Sequence, residues 1–238
     1  MLDDKQRHFP ADPNHFAFDS EVSRVFPDMA VRSIPNFQVA HDTHARMVAA
    51  LTVDKPHVKV LDIGASRGHF IKALAKAVGD TYAARFWVTA YENSQPMREY
   101  LGADHPEVDV LPFDLATDPI PGEYDVIVLH YVLQFLPREV QHEALQKVLA
   151  ALRPGGILVF GHKSAHHGSL GAVAHDAYID FRVQNGYTRA EIEAKTKALA
   201  GSMHCADHHC ILDDIKAACS QVEETFRFMM FSTLIAVK

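Results

Sequence analysis

The chain of 238 residues has few of the features that would cross-link it or anchor it. It contains one tryptophan and three cysteines, Cys205, Cys210 and Cys219, all near the carboxyl end. An odd, clustered set of thiols does not make a disulfide framework, so we expect reduced cysteines in a cytosolic protein. The sequence has no run of 18 apolar residues, and a transmembrane helix is therefore not among its predicted elements.

Positive charge is also scarce. Lys and Arg total 23 against 30 Asp and Glu, which gives a formal net charge of −7. This balance argues against non-specific adhesion to nucleic acid, but it leaves a local basic patch open. Residues 1–20 are interrupted by Asp, His, Pro and Asn, so they lack the apolar run of a secretory signal. We expect a cytoplasmic protein with no membrane partner.

The chain does have a repeated alternation of strand and helix patterns. Apolar strand patterns occupy residues 58–63, 85–91, 108–113, 124–129 and 157–161, with helical patterns at 69–78, from about 95, and at 139–152. Strands that alternate with helices pair in parallel through right-handed crossovers. After residue 161 come helical patterns at 172–185, 188–200 and 212–220, then one or two closing strands within 224–238.

These patterns predict an α/β fold of the Rossmann-like, doubly wound type. Its sheet is mostly parallel and seven-stranded, with an N-terminal helical extension and a helical insertion before the last strands. The extension, residues 1–52, is punctuated by prolines and carries helical patterns at 20–31 and 36–51. Residues 53–238 form the main domain in this division.

Polar or glycine-rich segments follow three successive predicted strands. Gly64 and Gly68 follow the first strand, where the missing Cβ permits a tight turn and a close ligand, next to the donors of a helix N-terminus. Their spacing differs from the G-x-G-x-x-G of pyrophosphate sites, and a nucleoside needs less of that cradle. Glu92 and Asp114 follow the next two strands, placed to accept hydrogen bonds from ribose hydroxyls and an adenine amino group. A helix cap or a solvated turn is the alternative for each alone.

Residues 60–68, 91–94, 114, 124–129 and 152–156 resemble, in this order, the motifs of class I S-adenosylmethionine-dependent methyltransferases. A closer resemblance, from about residue 16 onward, is to the carboxy-S-adenosylmethionine synthase family. It rests on residues 18–22, 25–29, 32–35, 133–136, 185–187, 191–192 and 231–238. The resemblance implies a transferase that uses S-adenosylmethionine, with residues 1–52 as a lid over the cofactor and a homodimer as one candidate assembly.

The resemblance also implies which residues contact the cofactor. Carried over position by position, they are Phe37, Gly64, Ala65, Ser66, Glu92, Asn93, Asp114, Leu115 and His130. Three of them differ from the family residues, since Phe37 replaces a tyrosine, Glu92 an aspartate and His130 an asparagine. No catalytic residue is assigned and no metal is expected. His130 is either a general base near the sulfonium or, as we favour, an orienting or packed histidine.

One residue of the resembled family has no counterpart here. The arginine that grips the extra carboxylate of the carboxylated cofactor falls on Thr196. An arginine fork makes two charge-assisted bonds worth about 1.5–3 kcal/mol each, and Lys195 or Lys197 would replace it only as a point charge. We therefore favour methyl transfer to an unknown acceptor. The alternatives are carboxyl transfer from prephenate to S-adenosylmethionine, in the service of tRNA wobble uridine modification, and a non-catalytic S-adenosylmethionine-binding protein.

Two histidine groups remain open to more than one interpretation. His162, His166 and His167 follow the fifth strand, and we expect them at the mouth of the same cleft, facing substrate or lying in a solvated loop. The second group runs from His204-Cys205 to His208-His209-Cys210. Its residue types suit zinc, but the spacing matches no standard finger, so a metal site is set aside.

Overall fold

Strands are interspersed with helices from residue 58 to residue 163, two helices precede them, and helices then dominate up to the two closing strands. The computed structural model describes residues 16–238; the first fifteen residues of the predicted extension lie outside this range. The helices are α1 Ser20–Ser33, α2 Phe37–Leu51, α3 His69–Val78, α4 Tyr82–Arg85, α5 Gln95–Asp104, α6 Arg138–Ala150, α7 Gly168–Gln184, α8 Arg189–Leu199 and α9 His208–Ala218. The strands are β1 Val58–Ile63, β2 Phe86–Tyr91, β3 Asp109–Leu111, β4 Tyr124–His130, β5 Leu152–Lys163, β6 Gln221–Phe228 and β7 Phe231–Val237.

Within residues 16–238 the strands form one seven-stranded sheet in the order β3-β2-β1-β4-β5-β7-β6. The first five strands pair in parallel, and β7 runs antiparallel to both β5 and β6. The predicted doubly wound sheet and the helical insertion, α7 to α9, are confirmed. The strand order reverses between β1 and β4, which is where open α/β sheets bind ligands, beyond the carboxyl ends of the strands.

The three central strands are apolar on both faces because helices cover both. Val60 and Val126 face a core layer shared with α2 and α3. Leu61 and Ile127 face the opposite layer, shared with α6 and α9. Strands that are buried on both faces lose the polar alternation of exposed sheets. This pattern explains why the strands are recognisable in the sequence as short continuous apolar runs.

The N-terminal helices pack on the main domain. Asp19 begins α1 by accepting a hydrogen bond from the Val22 backbone N–H at 2.9 Å, which satisfies one of the free donors of the first turn. In α2, Ala45 and Val48 are fully buried against the layer that contains α3. This packing holds α2 beside the carboxyl ends of β1 and β4. Within the described range no helix is long and apolar enough to cross a membrane.

Two predicted strand boundaries are wrong. The third strand, expected at 108–113, pairs only over Asp109–Leu111, because Pro112 has no backbone N–H to continue the ladder. The fifth strand, expected at 157–161, begins at Leu152, which pairs with Tyr124, so the helix-stopping segment Pro154-Gly155-Gly156 lies within the strand. The Gly155 N–H reaches the Lys238 carbonyl at 2.9 Å. The stop is thus an irregularity inside the strand.

Candidate cofactor and acceptor site

The turn after β1 is held in a conformation that glycine adopts without strain. Gly64 and Gly68 have φ values of +68° and +71°. The N–H groups of Gly64 and Ala65 donate to the Tyr91 carbonyl at 2.7 and 3.2 Å, which ties the turn to the end of β2. A Cβ on Gly64 would collide with Cγ2 of Val132, in the loop after β4. The turn therefore needs glycine for its conformation and for this close approach.

Glu92 links the glycine turn to the segment after β2. Its Oε2 accepts a hydrogen bond from the Ser66 N–H at 2.9 Å, and its Oε1 accepts one from the Ser94 N–H at 2.8 Å. Burial raises the pKa of this carboxyl, and these backbone hydrogen bonds oppose the rise. A carboxylate offers about four acceptor positions, so Glu92 retains capacity for two ribose hydroxyls. Beside it, Asp62 is buried in β1, and burial followed by the charge of Glu92 raises its pKa to about 8.

Asp114 forms a local turn and lines the same cavity as Glu92. Its Oδ1 accepts from the Ala116 N–H at 2.9 Å, and its own N–H donates to Oδ2 of Asp118 at 2.8 Å. A local turn, which the sequence offered as the alternative role of Asp114, is therefore present. Leu115 is buried in the core layer next to Phe113, whose ring stacks on Tyr91 at 4.1 Å between centroids.

His130 at the end of β4 is the centre of a chain of histidines. Its Nδ1 lies 3.1 Å from Nε2 of His41, and its Nε2 lies 2.9 Å from Nδ1 of His44. His41 Nδ1 donates to the Phe37 carbonyl at 2.8 Å, while His44 Nε2 lies 2.7 Å from Oγ1 of Thr225. Both ring nitrogens of His130 are occupied. His130 is therefore a packed histidine in this structure, and neither ring nitrogen is free to act as a base.

A single cavity of about 1140 Å³ brings the predicted site together. All nine residues expected to contact the cofactor line it: Phe37, Gly64, Ala65, Ser66, Glu92, Asn93, Asp114, Leu115 and His130. Lys195, considered in the sequence as a point charge beside Thr196, also lines the cavity, and several further lining residues are not predicted from the sequence, namely Asp62, His41, His69, Tyr131, Lys163 and Arg182. The i, i+3 spacing of His41 and His44, which places both on one face of α2, is a signal that could have found His41. Lys163 and Arg182 have no such signal, and Lys195 stands out in the sequence only as a neighbour of Thr196.

Comparison with known proteins identifies the family. A family model described as a methyltransferase domain matches residues 60–156. The carboxy-S-adenosyl-L-methionine synthase of Actinobacillus pleuropneumoniae serotype 5b is 33% identical over 233 residues, which cover 94% of this chain and 93% of the relative. The chain belongs to the carboxy-S-adenosylmethionine synthase family. The predictions of the family, of an enzyme and of S-adenosylmethionine as cofactor are confirmed.

Solved structures agree on the fold. The CurJ carbon methyltransferase superposes with a TM-score of 0.67 at 14% identity over 95% of this chain, which spans 61% of the length of that protein. Magnesium protoporphyrin IX methyltransferase from Synechocystis PCC 6803, solved with bound S-adenosylhomocysteine, has a TM-score of 0.54 at 17% identity, and the match covers 84% of each chain. Both matches place this family member in the Rossmann-like methyltransferase fold.

Thr196, onto which the resemblance carries the family's carboxylate-binding arginine, has its hydroxyl engaged within α8. Its Oγ1 donates to the Ile192 carbonyl at 2.7 Å. The neighbouring Lys195 is buried, borders the cavity and donates from Nζ to Oη of Tyr187 at 2.9 Å. Burial and the charge of Arg32 lower the pKa of Lys195 to about 8, while Glu191 opposes the shift. The cation of Lys195 therefore lies next to Thr196 in the sequence.

Lys163 and Arg182 extend the positive charge of this part of the cavity. Lys163 Nζ lies 5.0 Å from the ring centroid of Tyr178 and 5.7 Å from that of Phe231. The Arg182 guanidinium lies 4.4 Å from the Tyr178 centroid, with the residue 7% exposed. Among the described residues no carboxylate lies within 4.0 Å of Lys163, Arg182 or Lys195. Burial lowers the pKa of all three. We call these three residues the cation cluster.

The histidines after β5 do not lie at the mouth of this cavity, and that expectation is wrong. His166 and His167 border a separate depression of about 380 Å³ together with His208 and His209. His162 is buried, with its Nε2 3.1 Å from Nδ1 of His208. The reason is that alternate residues of β5 face opposite sides of the sheet, and Lys163 takes the cavity side. Across residues 16–238, no group of three or more His, Cys, Asp and Glu side chains is arranged to hold a metal.

Proposed function

We propose that this chain transfers the methyl group of S-adenosylmethionine to a small acceptor that carries a carboxylate. The cation cluster is the observation that carries the proposal. Burying an uncompensated charge costs several kcal/mol, and the charged groups of Lys163 and Arg182 face aromatic rings rather than carboxylates. An anionic acceptor neutralises these charges and forms charge-assisted hydrogen bonds with them in a site shielded from water.

In this proposal the cofactor occupies the part of the cavity between the glycine turn and His130, which we call the cofactor half. The part around the cation cluster is the acceptor half. The glycine turn takes the methionyl part of the cofactor. Glu92 accepts from the ribose hydroxyls, Asp114 accepts from the adenine amino group, and Leu115 packs against the base. Phe37 and His130 border the sulfonium side. Phe26, Ala30 and His41 also line the cavity, which supports a lid role for α1 and α2. The cytoplasmic location and the homodimer are proposals that rest on the cysteine pattern and on the family resemblance.

The chemical step in this proposal is a direct displacement. A nucleophilic atom of the acceptor attacks the methyl carbon in line with the carbon–sulfur bond, which breaks and leaves neutral S-adenosylhomocysteine. Any proton released by the acceptor passes to water. The protein contributes positioning, for which effective molarities of about 10⁵–10⁸ M are known. The cation cluster fixes the acceptor by its carboxylate so that the nucleophile points at the sulfonium.

Carboxyl transfer is the second candidate function. The relatives are named for it, and the cation cluster also suits a carboxylated cofactor or a dicarboxylate donor such as prephenate. Thr196 weighs against it, because a lysine supplies a point charge where the family uses a bidentate fork. The decayed, non-catalytic binder is the weakest alternative, since it gives no reason for buried cations in the acceptor half.

Turnover assays separate these candidates. Wild-type protein is incubated with methyl-labelled S-adenosylmethionine and either an extract of acidic and neutral metabolites or prephenate, and the products are identified by mass spectrometry. We expect a methylated carboxylic acid and S-adenosylhomocysteine, with turnover reduced at least tenfold in Lys163→Gln and Arg182→Gln but unchanged in Lys216→Gln, an exposed residue on α9. Formation of carboxy-S-adenosylmethionine from prephenate would establish the second candidate. Methylation of neutral acceptors only, unaffected by either cavity variant, would overturn both.

A further inference from the structure

Tyr131 follows β4 in a backbone conformation that bulky residues rarely adopt. Its φ is +59°, in the left-handed region that disfavours a side chain with a Cβ. Its N–H donates to the Gly161 carbonyl at 2.6 Å, and its carbonyl accepts from Nε2 of Gln134 at 2.8 Å. Such strain persists only where the surroundings fix it, and it concentrates at functional sites.

The Tyr131 hydroxyl is buried and has no hydrogen-bond partner among the described residues. The residue is 6% exposed, and among residues 16–238 no hydrogen-bond partner lies within reach of its Oη. A phenylalanine would fill the same space without this unsatisfied polar group, whose burial is unfavourable. Burial raises the pKa of the hydroxyl well above its ordinary value, so it stays protonated and acts as a donor rather than as a base.

The position of Tyr131 joins the two halves of the cavity, which it lines. On the cofactor side its ring centroid lies 6.2 Å from that of Phe37 and 5.8 Å from that of His130. On the acceptor side it lies 6.3 Å from the centroid of Phe231, the ring that also faces Lys163 Nζ at 5.7 Å. Tyr131 and Lys163 therefore pack against a common ring.

We propose that the Tyr131 hydroxyl donates a hydrogen bond to the acceptor's carboxylate, next to the bond that Lys163 makes to it. This inference rests on the proposed function and adds a neutral donor to its cation cluster. A fixed donor that is unsatisfied in the free protein discriminates against acceptors that have no anion to receive it. Tyr131 is thus a specificity-determining residue of the acceptor half.

Calorimetric titration of prephenate into the protein saturated with S-adenosylhomocysteine tests this assignment. We expect Tyr131→Phe to weaken prephenate binding about 10- to 100-fold, the range for a hydrogen bond to a charged group. Its affinity for S-adenosylhomocysteine and its melting temperature should not fall. The matched control is Tyr82→Phe, because Tyr82 on α4 also has a buried hydroxyl with no partner in the described part of the chain but does not line the cavity. Tyr82→Phe should bind prephenate as the wild type does.

The same titrations separate failure of the inference from failure of the proposed function. If Lys163→Gln weakens prephenate binding and Tyr131→Phe does not, the Tyr131 assignment is overturned and the anionic acceptor stands. A parallel loss of S-adenosylhomocysteine affinity in Tyr131→Phe would also overturn it and make Tyr131 a residue that shapes the cavity. If wild type and Lys163→Gln are alike in not binding prephenate, the carboxylate half of the proposed function fails and the inference fails with it. In turnover, the predicted signature of Tyr131→Phe is a raised KM for the acid with little change in kcat.

Discussion

The Nδ1 atom of His130 lies 3.1 Å from the Nε2 atom of His41, and this distance fixes the proton positions of three histidines. His41 must donate from Nδ1, since the Phe37 carbonyl only accepts. Neutral His41 therefore accepts at Nε2 from the Nδ1–H of His130, and His130 in turn accepts from His44. An added proton would bring two N–H groups face to face. The chain links α2 to the end of β4 and to Thr225 within β6, and the contact between His41 and His130 requires both of these rings to be neutral.

The histidine chain predicts a loss of stability in acid. Burial lowers the pKa of His41 and of His44 to about 4, so the folded protein binds fewer protons than the unfolded chain between pH 4 and 6.5. The contribution is complete above pH 6.5 and is lost as the pH falls towards 4. Each tenfold difference in proton affinity between the folded and unfolded states is worth about 1.4 kcal/mol. Urea unfolding should show a smaller loss over this window in His44→Gln than in the wild type.

The comparison between variants is needed because other groups change the free energy of unfolding with pH in the opposite direction. The raised pKa of Asp62 favours the folded state in acid. His57→Gln is the control, because His57 is exposed and stacks on Trp87 away from the chain of histidines; it should keep the slope of the wild type. Equal slopes in the wild type and His44→Gln would show that the chain does not hold neutral histidines.

Asp62 predicts the opposite dependence at high pH. A carboxyl whose pKa rises to about 8 on folding adds stability that is complete below its unfolded value and is lost as the pH rises through 8. Asp62→Asn keeps the shape and removes the charge, so the free energy of unfolding of the variant should fall less between pH 7 and 9, by about 1–2 kcal/mol. Asp109→Asn, on the exposed edge strand, should behave as the wild type does. Identical pH profiles for wild type and Asp62→Asn would mean that Asp62 is charged throughout.

The glycine turn is tested by two alanine substitutions at positions with similar φ values. Gly64→Ala meets Val132 and has φ of +68°, while Gly79→Ala has φ of +71° and open space around its Cβ. We expect Gly79→Ala, at φ +71° and ψ −144°, to cost about 1–3 kcal/mol of stability through its backbone alone and to bind S-adenosylhomocysteine normally. Gly64→Ala should lose more stability and at least tenfold in affinity. Normal binding by Gly64→Ala would remove the turn from the site.

The sequence allowed the cofactor half to be predicted and left the acceptor half hidden. Gly64, Glu92 and Asp114 each follow a strand directly, so strand recognition alone placed them at one edge of the sheet. Lys163, Arg182 and Lys195 come from β5, α7 and α8. Lys163 and Arg182 look like ordinary surface charges along the chain, and Lys195 stands out only because it neighbours Thr196. Only the packing of the helical insertion against β5 and β7 buries them around one space. The end of β3 before Pro112 likewise reflects the position of this strand at the edge of the sheet, which local patterns do not specify.

Restoring the family arginine provides a test of the difference at Thr196. Thr196 borders the cavity from the exposed side of α8, so Thr196→Arg can present a fork to the cofactor. We expect this variant to gain about 10- to 1000-fold in affinity for carboxy-S-adenosylmethionine relative to S-adenosylmethionine, measured by competition. Lys197→Arg, one residue further along the helix, should show no such gain. An unchanged ratio in Thr196→Arg would mean that the carboxylate contact lies elsewhere in this chain.

The most direct test of the cofactor site is calorimetric titration of S-adenosylhomocysteine into the wild type, Glu92→Ala and Glu99→Ala. Glu92 lines the cavity between the glycine turn and Ser94, while Glu99 is exposed on α5 and pairs with Gln95. The predicted result is normal binding by Glu99→Ala and a loss of at least 100-fold by Glu92→Ala, since two hydrogen bonds from the ribose to a buried carboxylate disappear. Unchanged affinity in a folded Glu92→Ala protein would contradict the site.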